Sequence, residues 1–218
     1  MINKSRSTRY ITWTPGMILF LFLTILTSCT PQYRPGESEA IIRRFSLAMM
    51  DATDLPFGWG HRASYAVDEF GGVGRVIMYS GANPRSKPFV SVSQYIIIYP
   101  DEQRSSSAYD TAVAEAIPAA YADKWVRPPE LDFEGHADEM VVACLPGRVG
   151  GFYLRSCKVV ARYGDMVMRL YGNVFEDRWL TMSQFRRLLE RVDKHMNDAR
   201  VPQSEPTMEP ADGHSEVQ

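Results

Sequence analysis

The sequence of 218 residues predicts an α+β domain, in which a mainly antiparallel sheet is packed by an N-terminal, a middle and a C-terminal helix. Three observations predict this class. Apolar residues recur at helical spacing near both ends and in the middle of residues 39–200. A two-residue hairpin signal precedes the last helix, and strand-like segments adjoin one another along the chain.

The first predicted helix begins near Glu39, with Ser38 as its N-cap. Its apolar face consists of Ile41, Phe45, Ala48 and Met49. The helix should stop before the segment TDLPFGWG, residues 53–60, because its proline and glycines break regular structure. Trp59 in this segment is expected to fill the edge of the core.

The middle of the domain is predicted as a buried strand followed by a helix. The run YIIIY, residues 95–99, is apolar on both faces, so a strand there should be covered on both faces. Pro100 and Asp101 then open a helix that Pro118 ends. The inner face of this helix comprises Tyr109, Ala112, Val113 and Ala116.

The clearest local prediction is a hairpin over residues 157–172, with Gly164 and Asp165 as its turn and Tyr163 opposite Met166. One face collects residues that belong to the core: Val159, Ala161, Tyr163, Met166, Met168 and Leu170. A glycine-rich segment earlier in the chain, GGVGR at residues 71–75, is expected to be another hairpin connection because it lacks the spacing of a phosphate-binding loop.

The last predicted helix starts with a capping box between Thr181 and Gln184. Its 3.6-period apolar stripe, which should pack on the sheet, is formed by Phe185, Leu188, Leu189, Val192 and Met196.

Residues 1–28, ahead of the domain, have the layout of an export signal. Lys4, Arg6 and Arg9 form a basic start, and Met17 to Leu26 supply an apolar core. As a helix this core would reach about 15 Å, roughly half of a bilayer's hydrocarbon thickness. The segment is therefore predicted to target the chain rather than to span the membrane.

The sequence Leu26-Thr27-Ser28-Cys29 that follows resembles the lipobox of bacterial lipoproteins. In that family a diacylglyceryl group is attached to the cysteine sulfur, and cleavage occurs just before the cysteine. The resemblance implies that Cys29 is lipidated and begins the mature chain. The alternatives are an ordinary cleaved signal with an incidental cysteine, and an uncleaved anchor helix that extends back through Tyr10.

The mature composition excludes some partners. Removing residues 1–28 takes three of the 24 basic residues and none of the 26 acidic ones, which leaves a net charge of −5. Nucleic acid is not expected as a partner, because binding to phosphates needs a basic face. Residues 29–38 are predicted to be a lipidated tether, and residues 201–218, with three prolines and four acids, a disordered tail.

Four short motifs in residues 39–197 resemble a loose family of small exported bacterial domains that is related in fold to PsbP-like proteins. They are LPFGW, IIIYPDE, HADEM and ARYGDMVMRLYG. The resemblance implies a fold and a location at the bacterial surface. Such domains are mostly binding or accessory modules, and no functional residue is carried over from them.

Cys144 and Cys157 are the two cysteines left in an exported chain, which suggests a disulfide. A tight turn at PGRVGG, residues 146–151, would instead place Cys144 opposite Tyr153, and only a wider loop would let the two cysteines meet. Two buried free thiols are the equal alternative.

No metal site, cofactor site or catalytic constellation is expected. His136 lies near Asp138 and Glu139 in the sequence, but neither HExxH nor a second histidine accompanies it, so we expect a solvated loop residue. His61, His195 and His214 are spread thinly, and His195 is expected to face solvent.

These observations favour a membrane-anchored, non-catalytic module that faces outside the cytoplasm, at the cell membrane or the outer membrane, and binds a small molecule or a protein. The alternatives are an envelope hydrolase, whose site is assembled from distant residues, and an accessory subunit of a membrane complex. A concave pocket where a nucleophile or carboxylates converge would favour the enzyme.

Overall fold

A computed structural model describes residues 38–81, 90–149 and 151–200. The predicted export signal, the site of lipidation, all but the last residue of the tether, and the tail lie outside these residues. The helices are α1 Glu39–Ala48, α2 Glu102–Ala116 and α3 Met182–Arg200. The strands are β1 Gly60–Glu69, β2 Gly72–Ser80, β3 Ser91–Ile98, β4 Glu139–Val149, β5 Phe152–Tyr163 and β6 Met166–Phe175.

The six strands form one antiparallel sheet with the order β1-β2-β3-β6-β5-β4. Hairpins join β1 to β2, β4 to β5 and β5 to β6, whereas α2 lies in the long connection from β3 to β4. The predicted α+β class, with helices near both ends and in the middle, is confirmed.

The first face of the sheet carries the main core, and α1 and α3 pack on it. All six residues assigned to the inner face of the β5–β6 hairpin are fully buried, as predicted. The predicted apolar stripe of α3 is buried too. On α1 the buried members of the predicted stripe are Phe45 and Ala48, while Ile41 and Met49 are partly buried against the core.

The second face of the sheet carries a smaller core under α2. Tyr109, Ala112 and Ala116 of this helix are buried, as predicted. They pack with Val160 and Val167 of the hairpin, so both faces of β5 and β6 contribute to hydrophobic cores. Burial on both faces also applies to β3, whose apolar run alternates between the two clusters.

The predicted start of α1 and the predicted turn at Gly164 and Asp165 are confirmed. Ser38 accepts a hydrogen bond from the backbone N–H of Ile41. Tyr163 pairs with Met166 across the turn, where Gly164 has a φ of +61° that favours glycine.

The glycine-rich segment 71–75 differs from its prediction, because most of it belongs to strand β2. The connection itself is Phe70 and Gly71, both with positive φ. A Cβ added to Gly72 would lie 2.6 Å from a side-chain carbon of Ile97, so this position is a close packing contact of the sheet.

The turn between β4 and β5 also differs from its prediction. The hairpin closes at the pair Val149 and Phe152, farther along the chain than expected. This register places Cys144 directly opposite Cys157, and it pairs Tyr153 with Arg148. The two cysteines are buried and joined in a disulfide, with their Cα atoms 4.0 Å apart.

A search of the helices in the described residues finds none that is long and apolar enough to cross a membrane.

Candidate functional site

A cleft of about 560 Å³ lies at the end of the sheet where β4 ends and β5 begins, which is called the cleft end below. A volume of this size fits a small organic ligand. The cleft is lined by Val126, Arg127, Pro128, Pro129, Glu130, Pro146, Gly147, Tyr153, Leu154, Arg155, Val174, Phe175, Glu176 and Met182.

The floor of the cleft includes a row of three residues from adjacent strands. Arg155 of β5 pairs with Pro146 of β4 on one side and with Val174 of β6 on the other. The next row on the same face is the disulfide pair Cys144 and Cys157. A covalent link therefore joins the two strands directly below the floor.

Arg155 is partly buried, and its side chain forms no hydrogen bond or ion pair with any residue in the described part of the chain. The other arginine of the lining differs in this respect. Arg127 donates from Nη2 to Oδ1 of Asp132 at 2.7 Å. The cleft thus holds one compensated and one uncompensated guanidinium.

Two residues with carboxylates, Glu130 and Glu176, line the cleft, and both are exposed. Glu130 belongs to the connection before β4, and Glu176 follows β6. Neither carboxylate bonds to a side chain among the described residues; the backbone oxygen of Glu130 accepts from Arg186 Nη1 at 3.3 Å.

The side wall forms where a short segment leaves the edge of the sheet. Val126 makes two backbone hydrogen bonds with Cys144, of 3.1 and 2.8 Å. Pro128 and Pro129 follow, and because they have no N–H they cannot extend this pairing along β4. The segment diverges from the strand, and the cleft occupies the space between them.

Another part of the wall is Met182, the first residue of α3. The predicted capping box fixes this helix start: Gln184 Oε1 accepts from the backbone N–H of Thr181 at 2.8 Å, and Thr181 Oγ1 accepts from the backbone N–H of Gln184 at 3.4 Å. The wall is therefore held in place by local hydrogen bonds.

The lining residues contain no serine, threonine, cysteine, histidine or lysine. Carboxylates and tyrosine can also act as nucleophiles or as general acids and bases, and the lining contains Glu130, Glu176 and Tyr153. The cleft combines apolar side chains with charged groups of both signs, and both kinds of group can contact a ligand.

Comparisons with protein-family models, with curated proteins and with solved structures find no match to this chain.

Of the residues singled out from the sequence, Cys29 lies outside the described residues. Cys144 and Cys157 lie below the cleft floor, where their bridge supports the site rather than reacting in it. The cleft residues Arg155, Glu130 and Glu176 were not singled out. The sequence did contain a signal for Arg155. Alternate residues of a strand lie on the same face, so Arg155 is a charged residue on the face that also carries Cys157 and Val159 of the core.

His136 does not associate with Asp138 and Glu139. Its ring Nδ1 lies 2.7 Å from Oδ2 of Asp193 in α3, although its side chain is about half exposed. Asp138 instead accepts from Arg200, and Glu139 from Arg162. His136 is exposed in the loop before β4, as expected, but its contact with Asp193 was not anticipated.

Asp193 is buried and collects three donors. Its Oδ1 accepts from the Tyr163 hydroxyl at 2.8 Å, and its carboxylate accepts from the backbone N–H and the ring of His136. Burial, together with the negative charge of Asp193, raises the pKa of Tyr163. A buried carboxylate that orients a histidine also occurs in hydrolases, but among the described residues no hydroxyl or thiol bonds to His136. The arrangement ties the β5–β6 hairpin to α3.

His61 is exposed and packs edge-on against Tyr79, with ring centroids 5.7 Å apart. His195 was expected to face solvent, but it is partly buried, and its Nδ1 lies 3.8 Å from Oδ2 of Asp54. His214 lies outside the described residues. No group of three or more His, Cys, Asp or Glu side chains that could hold a metal ion occurs in residues 38–81, 90–149 and 151–200.

A second polar cluster lies on the face of the sheet that carries α2. Arg169 is buried and pairs with Glu69 of β1, and its Nη1 lies 3.7 Å from Glu115 of α2. Burial, followed by the charge of Glu69, raises the pKa of neighbouring Tyr99 to about 12. Glu69 and Glu115 both compensate the charge of Arg169. The cluster therefore links strand β6 to strand β1 and to helix α2.

Proposed function

We propose that this protein is a lipid-anchored lipoprotein of the bacterial envelope that binds a small ligand in the cleft and does not catalyse a reaction. The observation that carries this proposal is a cleft whose lining combines apolar side chains with a guanidinium that has no partner in the described residues. A free charge next to apolar surface is costly in a folded protein unless something compensates it.

The anchor is supported by the residues that resemble a lipobox. Acylation of Cys29 would attach two or more hydrocarbon chains, and each buried methylene contributes about 0.8 kcal/mol. Two chains give stable membrane attachment where one does not. The proposed location is the cell membrane or the outer membrane, on the side away from the cytoplasm.

The start of the domain lies far from the cleft, so a membrane anchor before it would leave the cleft accessible. Arg44 of α1 bonds to Asp165, in the turn between β5 and β6. This turn is at the opposite end of β5 from the cleft, and Leu154 and Tyr163 are about 30 Å apart at the usual rise of a strand. The domain would therefore be attached at the end that lies away from the cleft.

Lipidation is tested by labelling growing cells with palmitate. The wild-type chain should carry the label, and Cys29→Ala should not. Cys144→Ala serves as the matched control and should still be labelled, because its thiol is not part of the lipobox. An unlabelled wild-type chain would exclude the anchor and leave the binding proposal standing.

Binding in the cleft is tested with the full chain in detergent, incubated with a small-molecule extract of the envelope and analysed by mass spectrometry after washing. Gly147→Trp should abolish enrichment by filling the cleft, since an added Cβ there meets its nearest neighbour only at 4.0 Å. Gly60→Trp is the matched control, because Gly60 lies outside the lining and has open space around it.

Equal enrichment by the two tryptophan variants would contradict binding in the cleft. The enzyme alternative predicts a different result: a deletion strain would lose one enzymatic activity, and the purified domain alone would restore it. The proposal that the domain is related in fold to PsbP-like proteins is separate, and its test is an experimental structure of the chain.

A further inference from the structure

We propose that the ligand of the cleft is a zwitterion with an apolar body, such as an amino acid with a large apolar side chain or a short apolar peptide, and that Arg155 receives its carboxylate. This inference rests on the proposed function, because it specifies the ligand of the same cleft. The argument depends on which charges in the lining are compensated and where each of them lies.

Arg155 is the positive group that is available to a ligand. The guanidinium of Arg127 is already bonded to Asp132, whereas Arg155 has no partner among the described residues. Pro146 and Val174 flank Arg155 on the neighbouring strands, and neither side chain offers a polar group. A planar guanidinium pairs with a carboxylate through two parallel hydrogen bonds, so a carboxylate is the complement that fits best.

Glu130 and Glu176 supply the opposite charge at the rim. They lie in different segments of the lining and are exposed, while Arg155 is partly buried. Electrostatic interactions are stronger where water is excluded, so the carboxylate of a ligand should be held at the floor and its ammonium group at the rim. The separation of the two signs between floor and rim matches the two ends of a zwitterion.

The two carboxylates of the lining disfavour ligands that carry several negative charges. Arg155 is the one guanidinium of the lining without a partner in the described residues, and Arg148, outside the lining, stacks on the ring of Tyr153 at 3.8 Å. A phosphate or a dicarboxylate would gain Arg155 but would be repelled by both acids. A simple amine would gain the acids but would leave Arg155 without a partner. The zwitterion satisfies both requirements.

The rest of the lining requires apolar contact. The lining also includes the apolar side chains of Tyr153, Leu154, Phe175 and Met182, together with three prolines. A small polar amino acid such as glycine would leave this surface in contact with water. The volume of about 560 Å³ accommodates an apolar dipeptide and falls in the range of ligand pockets.

The test uses calorimetry on the full chain in detergent with four related probes. They are leucyl-leucine, leucyl-leucinamide without the carboxylate, acetyl-leucyl-leucine without the ammonium, and acetyl-leucyl-leucine methylamide without either charge. Leucyl-leucine should bind best, and loss of the carboxylate should weaken binding roughly tenfold or more. Loss of the ammonium should weaken it less, because the rim is exposed.

Variants assign the effect to Arg155. Arg155→Met should reduce the affinity for leucyl-leucine roughly tenfold or more and abolish the difference between the acid and the amide. Arg187→Met removes the same charge from an exposed position of α3 outside the cleft, and it should leave binding unchanged. Circular dichroism of both variants verifies that they are folded.

The outcomes separate the two proposals. Equal affinity for all four probes, lost in Gly147→Trp, would overturn the zwitterion and keep the cleft as a binding site. The zwitterion is likewise overturned, and the cleft is kept as a binding site, if no probe binds but a ligand from the envelope extract binds in a way that depends on the cleft. If neither the probes nor the extract depend on the cleft, both proposals fail.

Discussion

The two ends of the sheet differ in whether their charged side chains form ion pairs. At the end formed by the turn Gly164–Asp165, called the turn end here, the charged groups around the turn are paired: Arg44 with Asp165, Arg200 with Asp138, and Arg162 with Glu139. Asp138 also accepts from the backbone N–H of Gly164 at 2.6 Å. At the cleft end, Arg155, Glu130 and Glu176 have no such partners in the described residues.

This difference separates charges that are paired within the fold from charges that, in our proposal, a ligand compensates. A partly buried guanidinium with a carboxylate partner contributes to stability, and its removal leaves the other group uncompensated. A guanidinium without a partner contributes little, or it opposes folding. The same residue type should therefore give opposite results at the two ends, and the predictions below test this, starting with the largest expected effect.

Removing the disulfide should give the largest loss of stability at the cleft end. The double variant Cys144→Ala, Cys157→Ala lacks a link between residues 13 apart in sequence, and loops of this size contribute about 3 kcal/mol to the free energy of unfolding. Urea denaturation measures the change. Unreduced wild-type protein should also be lighter than reduced protein by two hydrogens; equal masses would show that no bridge forms.

Exchanging one arginine at each end tests the comparison directly. Arg44→Met should lower the free energy of unfolding by about 1 to 3 kcal/mol, because it breaks two hydrogen bonds to a carboxylate that is itself about one quarter exposed. Arg155→Met should change it by less than about 0.5 kcal/mol or should increase it. Similar losses for both variants would mean that Arg155 is structural.

Variants of Thr181 test whether the capping box stabilises the start of α3 beside the cleft. Thr181→Ala removes the oxygen that accepts from the N–H of Gln184 and should cost about 1 kcal/mol. Thr181→Ser keeps this oxygen and should cost much less. Thermal unfolding followed by circular dichroism compares the two variants, and an equal loss would show that the methyl group rather than the cap matters.

Lowering the pH should reduce the contribution of Asp138, at the turn end, to the free energy of unfolding. This is the smallest of the effects predicted here. Burial alone would raise the pKa of Asp138, but the hydrogen bond from Gly164 and the charges of Arg200 and Arg162 hold this pKa below its ordinary value. A pKa that is lower in the folded state stabilises the protein above the unfolded value, and this stabilisation is lost as the pH falls below about 4.

Asp138→Asn should flatten the dependence of stability on pH in this range, while it lowers stability near pH 7. Denaturation midpoints between about pH 2.5 and 7 provide the measurement. An unchanged acid slope in the variant would assign the pH dependence to other carboxylates.

Local patterns predicted most of the framework. The capping residues Ser38 and Thr181 were correct because the signals that start a helix lie within three or four residues of each other. The turn at Gly164 was correct because a glycine followed by aspartate suits only a small set of tight turns. These predictions required no knowledge of distant contacts.

Predictions that depended on tertiary contacts were less successful. The segment PGRVGG has three glycines and allows several turn positions, so the register of β4 and β5 could not be read from it. His136 is exposed, as expected, but its ring also contacts Asp193, which is 57 residues away, and no local pattern indicates this contact. The cleft itself arises where the segment after Val126 leaves the sheet, and no local pattern encodes that divergence.

Ser38 starts a helix whose Arg44 also donates to the backbone oxygen of Ala199, near the end of α3. The chain therefore enters and leaves the domain at the same place. A peptide linker of modest length could join these two points, and new ends could be opened at the exposed turn beside Gly71. Such a circular permutant would carry its cleft intact and could be attached to a support from a different side.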